Sequence, residues 1–504
     1  MMLSPTDMGL PTKFKAWRPG QDTALAHLNA CQKRFLIQVM PTGVGKSLLY
    51  MAGSLSRCVP TVILTSTRAL QTQLVSDFSD IGLVEIKGRR NYRCIRGDGP
   101  TCDDGLCHYG GHCDYKESGC QYFDALRRAK RARYVVTNYA MWLTAGDFFR
   151  EGRGCLVMDE AHAAPDHLHD HLSVTVDLRA ISEAWCEEQT IPLDWVKWAY
   201  HLLALVNEQI EAGLMFPDMN LSRLRQLVRV RRTLESIVRI GASPLVVEEV
   251  KGKFIINPLT LTRYAEPCLF RGVPFVHMTS ATVTEHTGRM LGIQGGDREL
   301  HEYPSPFALE NRPVYVIPTS NVDRRMDHGA EMVWIARIDQ IVGKHLDRKG
   351  IIHSVSYDRG WRIIKCSRHE KYMIIHSSED AAMKVATFKA RRPPAVLVSP
   401  AMTTGWDFPY ELCQYQIIAK VPFPDSRALI MQERQKLDPE LPYYMAWQTI
   451  VQAAGRGVRA SDDWCETFII DNHFQWLLSK YGHLAPKWFK ESIRQVSAVP
   501  EPRR

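Results

Sequence analysis

Apolar residues along this chain fall into short unbroken runs separated by stretches of helical spacing, and the alternation breaks off in two places. Phe35–Val39 and Thr61–Leu64 are apolar runs of strand length, each followed by a helical pattern, and Tyr134–Asn138, Cys155–Met158 and Val276–Thr282 repeat the form. Runs without a polar face predict strands buried on both sides, and strand–helix alternation predicts a parallel sheet with helices on both faces. The first break lies between Gly88 and Cys120, where glycine, aspartate and cysteine dominate and no apolar period could build a core. An arginine- and lysine-rich helical run, Tyr122–Arg133, follows it. The second break runs from Leu172 to about Val250. There Leu221, Leu224, Leu227, Val228, Leu234, Ile237 and Val238 recur at helical spacing, with Arg225, Arg229 and Arg232 on other faces, so a helical insertion with few strands is expected. From His301 a second α/β series begins, with strands expected at Val314–Ile317, Ile351–Ser354, Met373–His376, Ala395–Ser399, Gln416–Ala419 and Thr467–Ile470.

Between the first strand and its helix stands Pro41-Thr-Gly-Val-Gly-Lys-Ser47. A strand, a glycine turn and a helix in that order gather free backbone N–H groups and the positive end of a helix dipole around one point, which suits a polyphosphate. Thr42, Gly43 and Gly45 then form the cradle, Lys46 reaches the outer phosphates and the Ser47 hydroxyl ligates magnesium. Met40 stands where the usual pattern has its first glycine. Asp159 ends a strand of the same sheet and is the expected magnesium carboxylate, with Glu160 beside it to orient or activate water and His162 to relay to neighbouring loops. A counter-charge comes from Gln452-Ala-Ala-Gly-Arg-Gly-Val-Arg459, where helical spacing would put Gln452, Arg456 and Arg459 on one face. Because these residues belong to the second α/β series, the site is expected to be complete only when two domains close on ATP.

Composition narrows the class without naming it. Hydrophobic content of 45% and charged content of 23% suit a globular protein, and a net charge of +8 permits a polyanionic partner. No apolar stretch has bilayer-spanning length and the first residues lack a signal-peptide pattern, so a cytoplasmic protein with no membrane partner is expected. Five of the 13 cysteines, Cys94, Cys102, Cys107, Cys113 and Cys120, fall within 27 residues, a concentration that points to a metal or cluster. The paired C-x-x-C knuckles usual for zinc are lacking, although a four-cysteine zinc site stays as the rival reading.

Arg18–Gln21, Thr65–Leu70, Asp159–His162, Thr279–Thr282, Ser399–Asp407 and Gln452–Arg459 resemble, in order, the motifs of superfamily 2 helicases. Lys87–Cys94 and Cys120–Phe123, which bracket the cysteine-rich break, together with Ser305–Phe307 and Pro486–Phe489, resemble the XPD/DinG family of iron–sulfur DNA helicases, and DinG-type members in particular. The resemblance implies two RecA-like parallel-sheet domains, with an iron–sulfur insertion and a helical arch both inserted in the first. It divides the chain into 1–88, 122–165 and 253–300 for the first RecA-like domain, 89–121 for the cluster insertion, 166–252 for the arch and 301–504 for the second domain. Only 17 residues precede Arg18, so the exonuclease domain of some DinG relatives is not expected.

The same resemblance implies that Gln21 reads adenine, that Thr65–Arg68 and the Thr279 turn couple nucleic acid to ATP, and that Gly405 and Asp407 do so from the second domain. A [4Fe–4S] cluster takes four thiolates where five stand. The flanking matches carry over Cys94 and Cys120, and Cys107 and Cys113 complete the set with twelve, five and six intervening residues; Cys102 in place of either is the alternative. Arg89, Arg90, Arg93, Arg127, Arg128, Lys130, Arg131 and Arg133, with Tyr92, Tyr115 and Tyr122 as stacking surfaces, are expected as a group to face DNA, whereas the arginines between Arg223 and Arg239 read as the solvated face of an arch helix. The function implied is an ATP- and magnesium-dependent DNA helicase, monomeric, moving 5′ to 3′ on single-stranded and forked DNA, with DNA repair among its possible pathways. A translocase that remodels R-loops, RNA–DNA hybrids or protein–DNA complexes is the alternative, and a DNA-binding adaptor with a dead ATPase is disfavoured by the intact Lys46, Asp159, Glu160, Arg456 and Arg459.

Overall fold

The computed structural model describes residues 3–145, 152–185, 189–215, 221–241, 243–400, 406 and 408–503. Its first sheet begins with β1 (Phe35–Val39), β2 (Thr61–Thr65), β3 (Leu83–Glu85), β4 (Tyr134–Asn138) and β5 (Cys155–Asp159). The chain then leaves that sheet and forms β6 (Val174–Val176), β7 (Leu245–Val250) and β8 (Lys253–Pro258), a separate antiparallel sheet, with the helices Leu178–Trp185, Trp195–Met215 and Leu221–Ile240 between β6 and β7. It returns with β9 (Phe275–Ser280) and β10 (Arg298–Glu302). The finished sheet has seven strands in the order β10-β1-β9-β5-β2-β4-β3, every neighbour parallel. Ile63, Leu64, Val135, Val136, Leu156 and Met158 are fully buried because helices cover both faces.

A second seven-stranded parallel sheet holds β11 (Val314–Ser320), β12 (Lys349–His353), β13 (Met373–Ile375), β14 (Ala395–Ser399), β15 (Tyr415–Ile418), β16 (Glu466–Asp471) and β17 (Ile493–Gln495), in the order β13-β14-β12-β15-β16-β11-β17. The architecture is two RecA-like α/β domains.

In the two parallel sheets three strands have no counterpart in the apolar pattern: β3, β10 and β17. All three are sheet edges, and β10 (Arg-Glu-Leu-His-Glu) and β17 (Ile-Arg-Gln) carry the polar side chains that protect an edge and hide its strand character. The expected helical insertion is likewise helical only in part. β7 and β8 form a hairpin closed by Lys251 (φ 52°) and Gly252 (φ 75°), a two-residue turn with both central residues left-handed.

Parallel pairing positions the site. Val39 lies beside Ser280 and Asp159 beside Thr279, so β1, β9 and β5 bring the phosphate loop, the Ser280–Thr282 turn and the Asp-Glu turn together at the carboxyl edge of one sheet. That edge is where α/β sheets bind ligands.

Candidate active site and cysteine segment

The loop after β1 turns through Gly43 (φ 76°) and Gly45 (φ 82°) into the helix Lys46–Arg57. A Cβ on Gly45 would stand 2.6 Å from Gln21 Nε2, so the position needs glycine for space as well as for conformation. Gln21 donates from Nε2 to the Val44 carbonyl (2.8 Å) and the Gly45 carbonyl (3.1 Å), and its Oε1 accepts the Arg18 N–H at 2.8 Å. Arg18 Nη1 donates to the Gly43 carbonyl at 2.6 Å. The Arg18–Gln21 segment therefore braces the backbone of the phosphate loop, whose first-turn N–H groups face the site.

Lys46 Nζ lies 3.5 Å from Glu160 Oε1. Glu160 Oε2 accepts the Ser280 hydroxyl at 3.0 Å, and His162 Nδ1 lies 2.7 Å from Ser280 Oγ and 3.3 Å from Glu160 Oε2. Glu160 itself has φ 50°, an uncommon left-handed conformation for a side-chain-bearing residue, fixed by these contacts. Burial alone would push its carboxyl up, but Lys46, the His162 contact and the Ser280 hydroxyl outweigh that and hold it below the ordinary carboxylate range. Asp159 moves the other way: burial and the adjacent Glu160 charge push it up against the pull of Lys46. A buried acid beside a second carboxylate is a poor place for a lone negative charge and a good place for a divalent cation. Asp159 thus fits magnesium, with Ser47 in the first turn of the facing helix as its hydroxyl partner.

From the second domain Gln452 Nε2 reaches Glu160 Oε2 (3.4 Å) and Thr282 Oγ1 (3.1 Å). The helix carrying it ends at Ala454, which corrects the single helical face expected for Gln452, Arg456 and Arg459. Gly455 and Gly457 stop the helix, and both are pressed against neighbours: a Cβ on Gly455 would stand 2.8 Å from the Thr42 side chain, and one on Gly457 2.4 Å from Cys465. Arg456, buried, donates from Nη1 to the Trp406 carbonyl at 2.9 Å, and the Arg459 N–H donates to Asp463 Oδ2 at 2.9 Å. Phe307 covers the loop from the same side, its ring 2.7 Å from where a Gly43 Cβ would be. Asp407 and Gly405 lie outside the described residues.

The thiols of the cysteine segment lie in two places. Cys102, left spare by spacing, is buried with Sγ 3.8 Å from Cys120 Sγ, and burial with the neighbouring thiols pushes it up to about 12. A Cβ on Gly105 would stand 3.3 Å from Cys94 Sγ and 3.7 Å from Cys107 Sγ, so that glycine leaves a gap walled by two more thiols. Among the described residues no group of three or more His, Cys, Asp or Glu side chains is already drawn together as a metal site. The arginines between Arg223 and Arg239 are not simply solvated. Arg225 Nη2 donates to the Asp98 and Asp104 carbonyls at 2.7 and 2.9 Å, and Arg232 Nη2 lies 2.7 Å from His108 Nε2, so the helix Leu221–Ile240 clasps the cysteine segment.

The flanking aromatics divide. Tyr122 is buried under the Arg89 guanidinium (4.4 Å), which removes it as a stacking surface; Tyr92, edge-on against it, is half-buried and Tyr115 is exposed. Arg68 Nη1 donates to Asn91 Oδ1 at 2.9 Å and ties the Thr65–Leu70 motif to the start of this segment.

The family description DEAD/DEAH box helicase matches residues 18–183, and the description Helicase C-terminal domain matches residues 346–492. Among solved structures an XPD helicase is similar with a TM-score of 0.62 at 16% identity, covering 94% of this chain and 98% of that one. S. tokodaii Xpd4 is similar with a TM-score of 0.61 at 13% identity, covering 95% and 100%. At these identities the likeness is one of fold. No curated protein matches in sequence. Among the described residues no helix is long and apolar enough to cross a membrane.

Proposed function

The chain belongs to the superfamily 2 helicases and is XPD/DinG-like, and on that premise we propose that it is an ATP-driven motor that moves 5′ to 3′ on single-stranded DNA and unwinds forked duplex. One observation carries the coupling of ATP to movement: the Glu160 carboxylate is shared between Lys46 of its own domain and Gln452 of the other. ATP with magnesium supplies the phosphoryl group and the neutralisation of its charge. Lys46, Thr42 and the loop N–H groups would hold the phosphates, and Ser47 and Asp159 would hold the cation. Glu160, kept ionised, accepts a proton from the attacking water, and His162 and Ser280 fix its orientation. Gln452, Arg456 and Arg459 close from the second domain. Hydrolysis loosens that closure, and the domains separate. The 5′-to-3′ polarity and the DNA substrate rest on the XPD/DinG likeness.

In this reading residues 89–121 are a cluster-bearing insertion and 166–252 an arch that braces it. The donor chemistry fits a [4Fe–4S] cluster: paired buried thiols at Cys102 and Cys120, and Cys94 and Cys107 facing the gap at Gly105. We assign those four as ligands, with Cys102 in place of Cys113. The cluster would supply a rigid cross-link for a segment without its own core, and Arg225 and Arg232 fasten that segment to the arch.

DNA-stimulated ATP hydrolysis tests the motor. Glu160→Gln should lower the rate by about 10²–10³ while retaining ATP binding, as loss of one transition-state group does. Lys46→Ala should abolish hydrolysis. Unchanged hydrolysis in both would contradict the proposal.

A further inference from the structure

Between β10 and β11 the chain crosses from the first domain to the second, and the crossing is short. Tyr303 is buried on the first domain: its N–H donates to the Val39 carbonyl at 3.0 Å, and its hydroxyl accepts from Gln38 Nε2 at 2.8 Å and lies 2.9 Å from His27 Nδ1. Phe307 is buried in the second, in one apolar cluster with Phe408, Cys413, Val458 and Cys465. Arg312 ties it there, donating from Nε to the Phe307 carbonyl (3.1 Å) and from Nη1 to the Trp488 carbonyl (2.7 Å). Between the two anchors stand only Pro304, Ser305 and Pro306, and the prolines fix φ at both of their positions, so little slack remains.

Although it belongs to the second domain, Phe307 touches the first at the tip of the phosphate loop. Its Cε2 and Cζ stand 2.7 Å from where a Gly43 Cβ would be, and the Arg459 carbonyl oxygen stands 3.4 Å from that same point. Gly43 is thus held between the Phe307 ring and the Arg459 backbone, as Thr42 is held against Gly455. The segment Gly455–Arg459 does not yield independently of the domain behind it. Gly457 is pressed on Cys465 of the Phe307 cluster, and the Arg459 N–H is bonded to Asp463, whose carboxylate also accepts the Tyr410 N–H at 3.0 Å. Val458, between the two arginines in sequence, shares that cluster and lines a cavity at the domain seam together with Phe307 and Thr42. Loop tip, ring and arginine segment therefore form one packed path, and close-packed groups transmit a displacement instead of absorbing it.

We infer that Phe307 is a positioning residue of the motor, the pivot on which the second domain closes and the spacer that sets Arg456 and Arg459 against the phosphate loop. The inference rests on the reading of the chain as an ATP-driven motor and adds to it the contact that registers one domain on the other. A smaller side chain lets the arginine segment settle away from its working position, and a misplacement of about 1 Å is enough to cost about 10²-fold in rate. ATP binding does not depend on the ring in the same way, because Arg18 and Gln21 brace the loop from within the first domain. Loss of the ring is therefore read in kcat and not in KM for ATP.

The test measures ATP hydrolysis by the full chain at saturating oligo-dT, with melting temperature as the check on folding. Phe307→Ala should lower kcat about tenfold or more while KM for ATP changes less than about threefold. Phe307→Leu, which keeps most of the apolar volume, should fall between wild type and Phe307→Ala, and it carries the comparison if the alanine variant melts below the assay temperature. Combined with Arg459→Ala, the loss of the ring should cost much less than it does alone, because a residue that acts through the arginines then has less to position. A role in folding alone would make the two losses multiply. Unchanged kcat in a folded Phe307 variant, a raised KM with kcat intact, or multiplying losses would overturn the inference and leave the motor reading standing. Wild-type protein that hydrolyses no ATP would overturn that reading as well.

Discussion

Gln452 Nε2 lies 3.4 Å from Glu160 Oε2 although 292 residues separate the two in sequence. One side chain is on the last turn of a helix in the second domain and the other on a strained turn in the first, so the contact exists only while the domains are together. Gln452→Ala should lower DNA-stimulated ATP hydrolysis at least about tenfold with ATP affinity little changed, as expected for a group acting in the transition state. In a double-mutant cycle with Thr282→Val, whose hydroxyl contacts the same amide, the two losses should be non-additive.

The ligand assignment separates two cysteines. Cys102→Ser should lose iron and the visible absorption of the purified protein, and Cys113→Ser should keep both. Iron per chain, with zinc measured alongside, reads the outcome directly. Loss of iron in Cys113→Ser with retention in Cys102→Ser would restore the set of Cys94, Cys107, Cys113 and Cys120.

Arg225 and Arg232 should matter to the cysteine segment without being ligands. Arg225→Ala removes two charge-assisted hydrogen bonds to the Asp98 and Asp104 carbonyls, each worth about 1.5–3 kcal/mol. Faster hydrogen exchange in residues 98–109, with the two parallel sheets unchanged, is the expected signature. Arg225→Lys, which keeps the charge but not the fork, should recover part of the protection.

Each parallel sheet buries a histidine on a glutamine. His277 Nε2 lies 2.8 Å from Gln38 Oε1 in the first and His353 Nε2 lies 3.2 Å from Gln416 Oε1 in the second. Burial pushes His277 down to about 3 and His353 down to about 4. Because the unfolded chain binds these protons more readily, the stability they allow is whole above about pH 6.5 and is lost as pH falls towards those values. Melting temperature should therefore drop between pH 7 and pH 5, and less so in His353→Gln, which keeps the donor without the titration.

Much of this was legible in the sequence because it is local. The strand-turn-helix around Lys46, the strand ending in Asp159 and the buried runs of both sheets are short-range patterns, and the structure forms them where the pattern puts them. What was not legible depends on distant contacts. The helix through Gln452 ends early because Gly455 meets Thr42, more than 400 residues before it, and Arg225 faces carbonyls of a segment with no apolar period. Spacing alone also could not rank Cys102, whose partner is chosen by packing against Cys120.

The most direct test of the central claim is strand displacement with ATP and magnesium on duplexes carrying either a 5′ or a 3′ single-stranded tail, with Lys46→Ala as control. Displacement from the 5′ tail alone, absent in the variant, is the predicted result. Displacement from the 3′ tail alone, or displacement that survives Lys46→Ala, would contradict it.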